Sequence, residues 1–394
     1  MSFPIAHRFA PFGTTIFSEM TALANEHNAV NLSQGFPDFD GPSLAKDAAI
    51  NAINNGHNQY APMPGVPALR NAIAEWANRI TCIDPNPDTE ITVTSGCTEA
   101  IVATMLGLIN PGDEVIVFEP YYDSYRAALA MADATPVFVT LHPNDEPSGF
   151  GYRSDELRAA FSEKTKAILI NTPHNPTGIV FTETQLKEIA SLCIAHDAIA
   201  ISDEVYERLL YPGAVHRSIA SIECMRERSV VLSSVGKSFS LTGWKIGWAI
   251  APPDLTAGIR SAHQFLTFAV PTPLQHAVAG ILTHDQEPIA ELLKHYTHTR
   301  TLLGEALSEL GFTVRLPQGS YFIMAEHTRI SSRLGLKNDI ELCRWLPTNA
   351  GVAAIPPSVF YSDPALGSSF VRFAFCKQTA TIDQAISRLR AALT

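Results

Sequence analysis

Lys237 lies in a sequence context that suits a nucleophilic amine. Lys237 lies among small and polar residues just after the apolar run at residues 230–232. Burial removes solvation from an ammonium group and lowers its pKa, so a buried lysine is partly a free amine that can condense with an aldehyde. Lysines after strands are more often solvated, but Lys245 and Ser234 are close in sequence. A second cation and a hydroxyl would suit the phosphate of a phosphorylated aldehyde.

A second segment suited to a phosphate joins a predicted strand to a predicted helix at residues 94–100 (T-S-G-C-T-E-A). Free N–H groups at a helix N-terminus attract anions, and Gly96 allows close approach. Thr98 suits either an N-cap or a phosphate contact. Beside the two lysines and Ser234, the segment favours a phosphate-binding turn formed by Gly96, Cys97 and Thr98, with Glu99 pointing elsewhere.

The segment 233–248 (S-S-V-G-K-S-F-S-L-T-G-W-K-I-G-W) resembles the pyridoxal-phosphate lysine signature of class I/II aminotransferases. The resemblance implies a fold-type I enzyme that holds pyridoxal 5'-phosphate through a Schiff base with Lys237, with Ser234 and Lys245 on its phosphate. Many relatives have arginine where this chain has Lys245. Lysine supplies the charge without the planar fork of arginine.

The motif D-E-V-Y at residues 203–206 follows an apolar strand, where an unpaired carboxylate is costly. The resemblance implies that Asp203 faces the cofactor's pyridine nitrogen, and an opposite charge there would keep that nitrogen protonated. The turn N-P-T-G at residues 175–178 is typical of the family. By resemblance, Asn175 and Tyr206 contact the cofactor's phenolic oxygen. Lys237, Asp203 and Tyr206 are the predicted catalytic residues, and His174 is interpreted as a turn residue.

Four further residues are assigned only by the resemblance. Tyr122 would stack on the pyridine ring, where a flat aromatic fixes orientation. The backbone of Gly35 would lie near the substrate carboxylate. Tyr60 would reach the cofactor phosphate of a neighbouring subunit, and Phe268 would enter the partner's side-chain pocket. A turn residue at Gly35 and a surface residue at Tyr60 are the plainer readings of the same sequence.

Arg372 lies in the alternating run S-F-V-R-F-A-F at residues 369–375, on the opposite face from the neighbouring apolar side chains. An arginine among apolar residues offers a fork for bidentate binding of a carboxylate, although an ordinary salt bridge is the commoner role. The resemblance implies that Arg372 binds the substrate's α-carboxylate. Asn175, Gly35 and Phe268 would complete the substrate site.

Composition narrows the class of protein. The chain has 394 residues, a formal net charge of −11, 46% apolar and 17% charged residues. The acidic balance argues against nucleic-acid and anionic-membrane partners. Six scattered cysteines without a C-x-x-C pair fit reduced thiols, and no zinc or other metal site is expected. The first residues lack an apolar signal core, so we expect a cytoplasmic protein.

Short apolar runs predict the elements that position these residues. Runs that are apolar on both faces indicate buried, mainly parallel strands, and helix-length segments separate several of them. The runs lie at residues 91–93, 115–118, 137–139, 167–170, 199–201, 230–232 and 248–250. We therefore expect an α/β fold whose seven-stranded sheet has helices on both faces, with ligand residues at the carboxyl ends of strands.

A smaller α+β unit is expected after the sheet domain. The predicted division is an N-terminal arm with part of the small domain at residues 1–40, a large cofactor-binding domain at 41–290 and a small C-terminal domain at 291–394. A long helical stretch at residues 288–310 is expected to link the two domains. Strand-like runs at residues 321–324, 352–355 and 370–375 belong to the smaller unit.

Four segments resemble the kynurenine, glutamine and methionine aminotransferase branch: residues 31–39, 59–62, 171–176 and 263–268. The implied activity is ping-pong transfer of an amino group from an L-amino acid to a 2-oxo acid in a homodimer with shared sites. No second arginine lies at residues 264–273, so large apolar, aromatic or sulfur-containing donors are favoured. Two alternatives stay open: a β-lyase acting on cysteine S-conjugates, and a non-enzymatic regulator that binds the same cofactor.

Overall fold

A seven-stranded sheet forms the centre of the computed structural model, which describes residues 5–144 and 149–394. The strand order is β2-β10-β9-β8-β7-β3-β4, and only β10 runs antiparallel to its neighbours. The fourteen strands of these ranges are β1 Val30–Asn31, β2 Ile91–Ser95, β3 Glu114–Glu119, β4 Thr135–Thr140, β5 His142–Pro143, β6 Phe150–Gly151, β7 Thr165–Asn171, β8 Ile199–Asp203, β9 Ser229–Ser234, β10 Ile246–Ile250, β11 Thr313–Val314, β12 Phe322–Glu326, β13 Val352–Ala353 and β14 Phe370–Ala374. The predicted α/β class and the mainly parallel sheet are confirmed.

Each apolar run is a strand because both of its faces are covered. Val115 and Val117 of β3 pack into one hydrophobic cluster, whereas Ile116 and Phe118 pack into another on the opposite face. Side chains alternate between the two faces of a strand, so an uninterrupted Val/Ile run fills both layers. This arrangement fixes the sheet between two helical layers.

Three of the described α-helices begin after a residue whose side chain caps them, namely Thr15, Thr182 and Asn338. The Thr182 hydroxyl oxygen accepts from the Gln185 N–H, and Gln185 Oε1 accepts from the Thr182 N–H. The two bonds form a capping box. The α-helices are α1 Ile16–Glu26, α2 Ser43–Asn54, α3 Pro67–Thr81, α4 Gly96–Leu108, α5 Asp123–Met131, α6 Ser154–Ala160, α7 Glu183–Ala195, α8 Val235–Ser238, α9 Pro253–Leu266, α10 Thr272–Thr283, α11 Gln286–Glu309, α12 Thr328–Leu334, α13 Asp339–Trp345 and α14 Thr379–Leu393. Among these described helices, none is both long and apolar enough to cross a lipid bilayer.

A second, smaller core lies around the antiparallel sheet β11-β12-β14. Apolar side chains of α11, α13 and α14 pack against this sheet, and the N-terminal strand β1 joins the same cluster by pairing with β13. Helix α11 contains the predicted domain boundary near residue 290, and the division at residues 40 and 290 stays a prediction. Residues 1–4 of the predicted N-terminal arm lie outside the described residues.

Candidate active site

A cavity of about 370 Å³ lies where the carboxyl ends of the central strands face the smaller unit. Parallel strands in register bring their ends to one edge of the sheet, as the pairing of Asn171 with Asp203 shows. The residues predicted for the site that line this cavity are Gly35, Gly96, Cys97, Thr98, Tyr122, Asn175, Asp203, Tyr206, Ser234, Lys237, Lys245 and Arg372.

Two predicted residues lie away from the cavity lining. Tyr60 and Phe268 contact each other edge to face, with ring centroids 5.7 Å apart. Tyr60 is 86% exposed and Phe268 is 38% exposed. The two exposed aromatic rings therefore form a surface outside the lining of the cavity of the same chain.

Lys237 lies on the short helix α8, directly after β9. Its Nζ donates to the Gly35 carbonyl oxygen at 3.4 Å and lies 5.9 Å and 5.6 Å from the ring centroids of Tyr206 and Tyr321. Burial lowers the pKa of Lys237, although nearby Asp203 opposes the shift. The environment therefore favours the free amine, the form that attacks carbonyl carbon.

Asp203 is a buried carboxylate held by three donors. Oδ2 accepts from the Tyr125 hydroxyl at 2.7 Å, and Oδ1 accepts from the Val205 N–H at 3.3 Å and the Cys97 thiol at 3.6 Å. Burial raises the pKa of Asp203 despite these bonds, because desolvation penalises the charged form. Burial and Asp203 also raise the pKa of Cys97, which keeps the thiol protonated as a donor. A cation placed in the cavity beside Asp203 would relieve this cost.

The turn between β2 and α4 fits an anion. Gly96 has φ 69°, and a Cβ at this position would lie 3.1 Å from the Lys245 Nζ. Gly247 of β10 packs so closely on the turn that a Cβ there would lie 2.5 Å from the Gly96 carbonyl carbon. The backbone of the turn and the Lys245 ammonium therefore face the same small space, which Ser234 also lines. This geometry provides donors for a phosphate.

Arg372 is a cation with neutral partners. It is 1% exposed, and its two terminal nitrogens donate to Asn175 Oδ1 at 3.1 Å and to the Ser33 carbonyl oxygen at 2.9 Å. Its guanidinium carbon lies 4.1 Å from the Phe322 ring centroid, and its Nε has no partner among the described residues. Burial lowers the pKa of Arg372 to about 10, which leaves it charged at neutral pH.

Asn171 connects two of the strand ends. Its Oδ1 accepts from the Asn175 N–H at 2.7 Å, and its Nδ2 donates to the Asp203 carbonyl oxygen at 2.9 Å. The turn is further held by His174, whose Nδ1 lies 2.8 Å from Thr177 Oγ1. Burial lowers the pKa of His174 to about 3, so its ring is neutral at the pH of most cells. Asn175 is therefore held in place by backbone and side-chain bonds together.

Sequence reasoning did not assign several residues that shape the cavity. Tyr125 holds Asp203, Asn171 orients Asn175, and the Tyr321 hydroxyl donates to the Gly35 carbonyl oxygen at 2.5 Å. Tyr125 follows Tyr122 by three residues and Asn171 begins the N-T-P-H-N-P segment, so spacing offered a signal for both. Tyr321 and Phe322 carry no motif, because Phe322 begins β12, Tyr321 directly precedes it, and the segment reads as ordinary core.

The cavity lining brings an amine, a carboxylate and a guanidinium group together. An amine whose pKa burial lowers, a buried carboxylate and a buried arginine surround one space, and neither the carboxylate nor the arginine forms an ion pair with another described residue. No cluster of three or more His, Cys, Asp or Glu suitable for a metal ion occurs within residues 5–144 and 149–394. The arrangement is suited to holding a phosphorylated aldehyde at one end and a carboxylate at the other.

Comparison with known proteins agrees with this geometry. The model of the family "Aminotransferase class I and II" matches residues 27–389. A probable N-succinyldiaminopimelate aminotransferase of Mycobacterium tuberculosis is 45% identical over 97% of this chain and 97% of its own. The methionine aminotransferase of Escherichia coli K12 is 41% identical over 96% of both chains. The solved structure of the N-succinyldiaminopimelate aminotransferase from M. tuberculosis superimposes with a TM-score of 0.94, at 44% identity over 99% of this chain and 100% of that chain.

Proposed function

The chain belongs to the class I and II aminotransferases, which depend on pyridoxal 5'-phosphate. On this basis we propose the chemical class of its amino donor. The proposed donor is an L-amino acid with a large apolar, aromatic or sulfur-containing side chain, such as methionine, kynurenine or glutamine. The acceptor is a 2-oxo acid. The observation that carries this proposal is Arg372, a buried cation with neutral partners, in a cavity whose other cations are Lys237 and Lys245.

One end of the cavity has the donors that the cofactor phosphate would need. Gly96, Cys97 and Thr98 would surround the phosphate through their backbone, with Ser234 and Lys245 as further donors. The missing Cβ of Gly96 leaves the space beside the Lys245 Nζ that a phosphate oxygen would need. When bound, pyridoxal phosphate supplies an electron sink for the bond broken at the substrate's α-carbon.

The pyridine end would lie against Asp203. A buried carboxylate whose pKa is raised by burial gains stability from a cation, so it would keep a proton on the ring nitrogen. Tyr125 and Cys97 hold the carboxylate in that orientation. Tyr122 would pack on the ring face, and Asn175 and Tyr206 would donate to its phenolic oxygen.

Lys237 would serve twice. Its amine would bond the cofactor before the substrate arrives, and once released it would carry the proton from the substrate's α-carbon as general base and then as general acid. Burial lowers its pKa, which favours the unprotonated form needed for both roles. Lys237, Asp203 and Tyr206 are therefore the proposed catalytic residues.

Arg372 would bind the substrate's α-carboxylate beside Gly35 and Asn175. None of the ion pairs among the described residues includes Arg372, although Asp123 of the cavity lining stabilises its charge, and burying a cation without a direct ion pair is costly. A substrate carboxylate would supply both the charge and an acceptor for the unpaired Nε. The Phe322 ring lies against the guanidinium, 4.1 Å from its central carbon, and supports the group on that side.

The side chain of the donor is the point at which relatives differ. The activity named for the M. tuberculosis relative implies a substrate with further carboxylates, whereas the name of the E. coli relative implies a neutral thioether. The described cavity cations are Lys237, Lys245 and Arg372, each with a proposed partner. Asp123 also lines the cavity, and its carboxylate disfavours a second anion nearby. Neutral side chains are therefore favoured.

A panel of donors tests the proposal. Methionine, kynurenine, glutamine, aspartate and N-succinyldiaminopimelate would each be assayed with 2-oxoglutarate, and kcat/KM would be compared. Methionine and kynurenine are expected to exceed aspartate and N-succinyldiaminopimelate. A preference for N-succinyldiaminopimelate would refute the neutral side-chain assignment and favour the activity of the M. tuberculosis relative. Pyruvate and ammonia released from a cysteine S-conjugate without added oxo acid would reveal β-lyase activity.

We further propose a homodimer in which each active site takes residues from both chains. Tyr60 and Phe268 are exposed and touch each other, so one surface presents both to a second copy. Phe265, which is 90% exposed, lies at the end of α9 close in sequence to Phe268. Exposed aromatic side chains of this size are typical of interfaces. We also propose a domain division at residues 40 and 290 and a cytoplasmic location.

A further inference from the structure

His263 is fully buried, and no step proposed above uses it. It lies in the last turn of α9, and both of its ring nitrogens have partners. Nδ1 lies 2.7 Å from Glu99 Oε1, and Nε2 lies 3.0 Å from the Met63 carbonyl oxygen. The histidine thus links Glu99 of α4 to the loop that contains Met63. The phosphate turn, residues 96–98, lies at the start of the same helix α4.

Both partners of His263 are acceptors. A carbonyl oxygen can only accept, and an ionised carboxylate can only accept. Burial raises the pKa of Glu99, but hydrogen bonds from His263, the Ser95 backbone and Thr267 outweigh burial and leave the pKa below its ordinary value. Glu99 is therefore an anion, and the imidazole satisfies both contacts only when each nitrogen carries a proton. The C-terminal end of a helix also favours a cation.

The pair touches the phosphate turn directly. Glu99 lies in the first turn of α4, and its Oε2 accepts from the N–H of Ser95, the residue before Gly96. On the other side, Met63 lies in the loop that also contains Tyr60. A carboxylate in this helix turn would repel a phosphate at the helix N-terminus unless a cation offset it.

We propose that His263 is a positioning residue for the cofactor phosphate. Its imidazolium neutralises Glu99 behind the phosphate turn, and it ties that turn to the Met63 loop. The inference rests on the proposed placement of the phosphate beside Gly96 and Lys245. It assigns the acidic residue of the turn a role: Glu99 orders the Ser95 backbone without opposing the anion.

A charge-swap cycle tests this role through binding rather than turnover. Dissociation constants of pyridoxal 5'-phosphate and of phosphate-free pyridoxal would be measured by absorbance for wild type, His263→Gln, and His263→Gln with Glu99→Gln. His263→Gln should weaken pyridoxal 5'-phosphate binding by about 10-fold to 100-fold, as for other partners that orient a binding group. Pyridoxal binding should be unchanged. The double variant should recover most of the loss, because the unpaired carboxylate is gone.

Three results would overturn the proposal. They are unchanged pyridoxal 5'-phosphate binding in His263→Gln, an equal loss for both ligands, and a double variant as weak as the single one. If His263→Gln does not fold, neutron diffraction from crystals of the wild-type holoenzyme decides: a deuteron on both ring nitrogens supports the proposal, and a singly protonated ring overturns it.

Two controls separate this proposal from the site assignment. His216 is a matched buried histidine that lies 3.0 Å from a Glu204 oxygen, and His216→Gln should leave the ratio of the two affinities unchanged. Lys245→Gln should weaken binding of the phosphorylated ligand selectively. If it does and His263→Gln does not, only the role of His263 is wrong. If Lys245→Gln has no selective effect, the placement of the phosphate is wrong.

Discussion

Replacing Arg372 tests whether the substrate carboxylate binds where the geometry requires an anion. In Arg372→Lys the positive charge remains, but one ammonium replaces the guanidinium that contacts Asn175, Ser33 and the open side at Nε. At least one charge-assisted hydrogen bond to the substrate is lost, worth about 1.5–3 kcal/mol. That loss corresponds to roughly a tenfold to hundredfold decrease in kcat/KM, since about 1.4 kcal/mol is a factor of ten.

The assay compares L-methionine with its decarboxylated amine, 3-(methylthio)propylamine. Both carry the same side chain and amino group, so only the α-carboxylate differs. Arg372→Lys should lower kcat/KM for methionine and leave the slow reaction of the amine nearly unchanged. Arg372→Met should remove the preference for the amino acid, because neither charge nor donor remains.

Arg300 provides the matched control. It is a second arginine over an aromatic ring, 4.7 Å from the Tyr211 centroid, and it lies outside the cavity lining. Arg300→Lys should leave the ratio of the two substrates at its wild-type value. Equal losses for methionine and the amine in Arg372→Lys would refute the reasoning, because Arg372 would then support the fold instead of the substrate.

Four shorter predictions follow from other parts of the site. Borohydride reduction of the holoenzyme followed by peptide mapping should label Lys237, and Lys237→Ala should abolish both the label and transamination; a label on another lysine contradicts the assignment. Asp203→Asn should remove most activity but raise the thermal stability of the cofactor-free protein, since it removes a carboxylate whose pKa burial raises; near-normal turnover would place the ring partner elsewhere. Burial raises the pKa of Glu207 from 4.5 to about 8, so its contribution to stability is present at low pH and is lost as pH rises through about 8; thermal melts of Glu207→Gln should lack that decline, and identical pH profiles would disprove it. Mixed dimers of Lys237→Ala with a Tyr60→Ala, Phe268→Ala double variant should regain activity, approaching half that of wild type when every dimer is mixed; inactive mixed dimers would mean that the two aromatics act in their own chain.

The strands were predictable because burial on both faces requires a run of apolar residues in the sequence. A strand covered on both faces is mainly apolar along its length, as residues 167–170 of β7 show, and recognising this pattern requires no knowledge of the neighbouring strands. The order of strands leaves no such mark. The insertion of antiparallel β10 between β2 and β9 depends on how the chain crosses the sheet, and β10 reads like any other buried strand.

The same distinction applies to the site. Lys237 was singled out by the nearby Lys245 and Ser234, and Asp203 by the cost of an unpaired carboxylate after an apolar strand, and the family resemblance supported both assignments. His263 gives no comparable signal: it lies in an amphipathic helix, and its partners Glu99 and Met63 are 164 and 200 residues away in sequence. Only folding brings two acceptors to one imidazole, and the proposed positioning role depends on that contact. Residues proposed to bind the cofactor are thus partly predictable from the sequence alone, whereas the residue proposed to act behind them is identified only by contacts between distant segments.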